Sequence, residues 1–131
     1  MKILFLVDGS LKIGMGHIYL SLNLANELQK KNEIVFLTRE KLSSKIFKKY
    51  YKTFFIDKNN ITKEKNIIKL FFPDLVIIDK LKERKITISN IQSICKNILF
   101  IDYRKKIFQK ISMESLCCIQ LLHFHPRKIL K

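Results

Sequence analysis

Apolar positions along this chain follow two alternating rhythms. Lys2 to Val7 is a continuous apolar run of the kind a strand shows when both its faces are covered. His17 to Lys31 then changes to helical spacing, with Ile18, Leu22, Ala25 and Leu28 able to face a sheet. The alternation repeats: Glu33 to Leu37 predicts a strand and Leu42 to Tyr51 a helix with Leu42, Ile46 and Tyr50 on one side. Thr53 to Ile56 predicts a short strand, followed by a helix over Ile61 to Phe72 with Ile67, Ile68 and Phe71 inward. Pro73 stops that helix, because proline disfavours helical geometry in the residue before it. Asp74 to Asp79 and Asn97 to Asp102 read as two further strands, each ending in aspartate, with a helix over Ile86 to Cys95 between them carrying Ile88, Ile91 and Ile94.

Strands separated by helices of this length predict right-handed βαβ units. The fold class expected is therefore α/β: a single Rossmann-like parallel sheet with helices on both faces, over residues 1–103. Ligands of such sheets bind beyond the carboxyl ends of the strands, so Asp8, Asp79 and Asp102 share one rim. After residue 103 the rhythm fades, and 104–131 reads as an irregular or partly helical tail.

The three glycines, Gly9, Gly14 and Gly16, all fall in DGSLKIGMGH, between the first strand and the first helix. Glycine is used where a backbone must turn sharply or approach a ligand closely. A strand, a glycine turn and a helix N-terminus form an anion site, because unpaired amides and the positive end of the helix dipole converge there. Phosphate is the guest this predicts, with Gly14 and Gly16 as its backbone contacts. Neither nucleotide fingerprint holds. GxGxxG meets Tyr19 where its third glycine belongs, and GxxxxGK[ST] meets Met15 and Gly16 where lysine and the hydroxyl residue belong. What remains is a G-x-G-H turn with His17 at the mouth of the helix, placed as a general base or as a donor to a leaving phosphate. Asp8 is read as a support for the loop. Asp79 and Asp102 are either a carboxylate pair for acid–base work or strand-end caps that accept from loop amides.

Composition narrows the rest. An apolar share of 47% suffices for a core, while apolar runs of about five residues fall far short of the roughly 20 needed to cross a bilayer, so membrane insertion is not expected. Asp8 interrupts the first run too early for a signal peptide, and the default location is the cytoplasm. The net charge of +15 invites a nucleic-acid reading, but the basic residues are 22 Lys and only four Arg. Lys45, Lys48, Lys49 and Lys52 fall on what reads as the outer face of a helix, and a solvated basic surface is the preferred interpretation. Cys117, Cys118, His123 and His125 lack the spacing of a structural zinc site, so no metal is expected there.

The stretch DGSLKIGMGHIYLSLNLANEL, followed by PDLVIID and ILFID, resembles the N-terminal half of the UDP-sugar hydrolases of pseudaminic acid synthesis and the related spore-coat polysaccharide proteins. These are relatives of the GT-B glycosyltransferases. The resemblance implies a UDP-sugar substrate, no metal or other cofactor, and cleavage at the sugar's anomeric carbon in surface polysaccharide or nonulosonic acid synthesis. It implies that His17 activates water or orients the sugar, and that Gly14 and Gly16 face the diphosphate. Three positions depart from the family: Leu20 stands where arginine is common, Leu81 where tyrosine follows the fourth strand, and Asp102-Tyr103 where two aspartates are usual. The family also places uridine mainly on a second domain, which a second chain would have to supply. A truncated product, half of a split enzyme and an inactive remnant all stay open, as do a non-catalytic binding or partner domain and a basic nucleic-acid-binding protein.

Overall fold

The computed structural model describes residues 1–9, 15–79 and 83–101. They form β1 (Lys2–Val7), α1 (Gly16–Leu28), β2 (Glu33–Thr38), α2 (Lys41–Phe47), β3 (Lys52–Phe55), α3 (Ile61–Phe71), β4 (Leu75–Asp79), α4 (Lys85–Ile94) and β5 (Ile98–Ile101). The five strands make one sheet in the order β3-β2-β1-β4-β5, and every neighbouring pair is parallel. This is the Rossmann-like α/β arrangement that the alternating rhythm predicts. The expected tail, 104–131, lies outside the described residues, as do Gly14 and Asp102.

Alternation along each strand divides the core into two layers. Ile3, Phe5 and Val7 of β1 join Phe36, Ile77 and Leu99 on one side, under Ile18 and Ala25 of α1 and Phe47 of α2. Leu4 and Leu6 join Val35, Leu37, Val76, Ile78 and Phe100 on the other, under Ile68 of α3 and Ile88 and Ile91 of α4. Each such buried side chain contributes about 1.5–3 kcal/mol, so these layers, rather than any polar contact at the rim, hold the sheet together.

The chain winds outward from β1 through β2 to β3, then crosses back through α3 to place β4 on the other side of β1. The helices change face at that crossing. The boundary between β1 and β4 is thus the topological switch point, beside which ligands of open parallel sheets bind. Val7 pairs with Asp79 in register, so both strands end at the same level there.

Helix faces differ from the expected ones in one informative place. In α2 the buried residues are Ser43, Ser44 and Phe47, while Leu42 and Ile46 are half-buried and Tyr50 is exposed beyond the helix end. Phe47 stacks on Phe36 at 4.2 Å between ring centroids, and Phe36 stacks in turn on Phe5 at 4.8 Å. That aromatic column turns the helix so that two serines face inward, where Ser43 has a hydrogen-bonding task at the rim. Lys45, Lys48, Lys49 and Lys52 are exposed, as expected of a solvated face.

Candidate functional site

His17 is the second residue of α1, and Ser21 lies one helical turn further on. The i, i+4 spacing puts both side chains on one side of the helix, above the end of β4. Asp79 sits between them: its Oδ1 is 2.6 Å from His17 Nδ1, and its Oδ2 accepts from Ser21 Oγ at 2.9 Å. Asp79 is fully buried, while the His17 side chain keeps 12% of its surface. An ionised carboxylate can only accept, so against such a group Nδ1 is the donor, and in the neutral ring Nε2 is then the basic nitrogen. Ser21 occupies the second carboxylate oxygen and fixes the plane of the group. This is the orienting arrangement of a histidine base with a carboxylate behind it.

Of the predicted site residues, His17, Asp79 and Gly16 meet around the start of α1. Asp79, expected to pair with Asp102 or to cap loop amides, gives both oxygens to side chains of α1 and stands behind the imidazole. Gly16 is the first residue of α1; a Cβ built there would meet nothing within 4 Å, so its surroundings are open. The helix begins without a side-chain cap at Met15 and without acidic residues in its first turn. Its positive end is therefore not neutralised by its own sequence.

Asp8, read as a support for the loop, also joins two strand ends. Its Oδ1 accepts from the Arg39 amide at 2.7 Å and from Thr38 Oγ1 at 3.2 Å, tying the end of β1 to the end of β2. Gly9, at the start of the loop, is buried: its N–H donates to Ser43 Oγ at 2.6 Å, and the same hydroxyl donates to its carbonyl at 2.5 Å.

The second polar cluster went unread in the sequence. Arg39 directly follows β2 and crosses to the α3 and α4 side of the rim. There Nε and Nη2 donate to Glu64 Oε2 at 2.8 and 2.6 Å, and Nη1 donates to both oxygens of Glu83 at 3.0 and 3.1 Å. Nη2 also reaches Thr87 Oγ1 at 3.1 Å. Burial alone would lower the pKa of this guanidinium, but Glu83 and Glu64 outweigh it and raise the value above the ordinary arginine range. A signal was available: arginine is scarce in this lysine-rich chain, and acids number only 11. Five of those acids, Asp8, Glu40, Glu64, Asp79 and Glu83, take part in hydrogen bonds or ion pairs at this end of the sheet. Nearly half of the chain's acids are thus spent on paired contacts at this end of the sheet.

Among the described residues no group of three or more His, Cys, Asp or Glu is placed to hold a metal ion. Cys117, Cys118, His123 and His125 lie outside them.

Comparison with known proteins adds one relationship. No family model matches the chain, and no solved structure matches it. The curated "Uncharacterized protein MJ1062" of Methanocaldococcus jannaschii is 43% identical over 107 residues, a match that takes in 78% of this chain and 22% of the relative. This chain therefore spans about a fifth of the length of the curated relative it matches.

Proposed function

We propose that this chain is the histidine-bearing half of a site that cleaves UDP-sugars at the anomeric carbon, as in the hydrolases of pseudaminic acid synthesis that it resembles. The observation that carries the reading is the His17–Asp79 pair at the β1/β4 switch point, beside a helix start with no acidic residue in its first turn.

In this reading Nε2 of His17 takes a proton from water as its oxygen attacks the anomeric carbon. The bond from that carbon to the diphosphate oxygen breaks, and UDP leaves with the electron pair. Asp79 holds the ring in the tautomer that accepts the proton, and stabilises the imidazolium that forms. Gly16, with Gly14 before it, lets the backbone approach the diphosphate, whose growing charge is met by the first-turn amides of α1. The far wall of the cleft, with the uridine pocket, belongs to a nucleotide-binding half outside this chain. Supplied by a second chain or by a longer protein, it would orient the sugar and exclude bulk water.

The test is release of UDP from a panel of UDP-hexoses and UDP-N-acetylhexosamines, comparing wild type with His17→Ala after circular dichroism has shown both folded. The reading expects release that falls about 10²-fold or more in the variant. Equal release from both would overturn it. Nucleotide-sugar binding with no release in either would assign the loop to a binding domain instead.

A further inference from the structure

Arg39 spends its guanidinium on the protein. Its side chain is 7% exposed, and its nitrogens donate to Glu64, Glu83 and Thr87, while its backbone N–H holds Asp8. A guanidinium committed in this way has little left with which to grip a phosphate. Its partners, however, mark the ends of the two connections that flank the His17–Asp79 pair. Asp8 opens the connection from β1 to α1. Glu83 closes the one from β4 to α4, which opens at Asp79 and has only residues 80–82 between. Glu83 Oε1 also accepts from the Arg84 amide at 2.7 Å, so the start of α4 hangs on the same carboxylate.

We propose that Arg39 is a positioning residue for the His17–Asp79 pair, fixing both switch-point connections from the opposite face of the sheet. Calling the pair a reactive site rests on the proposed function; the mechanical claim about Arg39 does not. Two buried carboxylates accept hydrogen bonds from one forked cation. With the fork gone each carboxylate loses charge-assisted hydrogen bonds, and Glu83, only four residues beyond the end of β4, is held less firmly, loosening that strand end. Arg84 does not take over this task. Its Nη2 lies 3.5 Å from Glu64 Oε2, its Nε and Nη2 have no hydrogen-bond partner, and Glu64 Oε1 is likewise unpartnered. Lysine at position 39 would keep the charge but, being a point donor, would not span Glu64 and Glu83 together.

The test uses the ¹⁵N-labelled full chain and the ring resonances of His17, which need no substrate and are therefore decided separately from UDP-sugar cleavage. Arg39→Lys should retain a dispersed amide spectrum yet lose the hydrogen-bonded Nδ1–H resonance of His17 to exchange. Should Arg39→Lys fail to fold, Glu83→Gln, which keeps the shape and removes the charge, is read in the same way. An unchanged Nδ1–H resonance in the folded variant overturns the proposal. Thr87→Val removes one hydrogen bond to the same guanidinium without touching either connection, and should leave the resonance in place. Equal loss in Thr87→Val would mean general loosening, which also overturns the proposal.

Discussion

At the scale of single residues, the pair at the rim makes opposite demands on stability and chemistry. Asp79 is fully buried with its oxygens on His17 and Ser21, so deleting either partner strands a buried acceptor. Ser21→Ala is expected to cost about 1 kcal/mol and His17→Ala about 1–3 kcal/mol in urea unfolding. Losses near zero would show that water replaces these partners freely. Asp79→Asn keeps the volume but can donate to Nδ1, so ring ¹⁵N shifts should report the proton moved to Nε2. A residue far from this site is held in an unfavourable conformation. Phe72 ends α3 with φ of 50°, in the left-handed region, and its side chain is 64% exposed. Phe72→Gly is therefore expected to raise stability by about 0.5–1 kcal/mol, measured as an increased urea midpoint; a decrease would mean that the exposed ring contributes more than the backbone loses.

At the scale of elements, the rhythm of apolar residues located every strand and helix of the sheet, because burial against two layers demands it. It did not locate the polar network, for a physical reason. Glu64 sits on the inward side of α3 beside Ile68, and Ser43 and Ser44 on the inward side of α2, so a reading that sends polar residues outward misses Glu64 and turns the α2 face slightly wrong. Such residues are tolerated inside because each finds a partner across the sheet's end, which periodicity within one element does not reveal. His17 and Asp79 were legible separately, one from the glycine turn and one from the strand end; their meeting required the β1/β4 adjacency. The energetic weight of the hidden network gives a prediction. Arg39→Met removes the charge-assisted hydrogen bonds that Glu64 and Glu83 accept from the guanidinium and should cost about 3–5 kcal/mol, read from urea unfolding at neutral pH. A cost below about 1 kcal/mol would mean that the carboxylates protonate or escape to water.

At the scale of the whole molecule, charge and burial set the response to pH. The Cys95 thiol is pushed up chiefly by burial, with Asp74 adding to the rise and the Asn97 and Val76 backbone opposing it. Burial likewise pushes up the Tyr51 phenol. In the unfolded chain these groups ionise first, so above about pH 8.5 the native state binds more protons and stability falls as pH rises. Lys58, raised by its hydrogen bond to Glu40, acts in the same direction, since its contribution is lost as pH passes its native value. The urea midpoint should therefore decline from about pH 8 to about pH 10, and a flat or rising midpoint would contradict these shifts. No helix among the described residues is long and apolar enough to cross a membrane. In a chain of net charge +15, five of the 11 acids are paired at the end of the sheet that carries the His17–Asp79 pair, on which the functional reading depends. The most direct test of that reading is the ¹⁵N resonance of His17 Nε2, recorded while the same panel of UDP-sugars is added to the full chain. The account predicts that Nδ1 stays protonated against Asp79 while Nε2 shifts in a saturable way; an Nε2 resonance that stays fixed through millimolar UDP-sugar would contradict it.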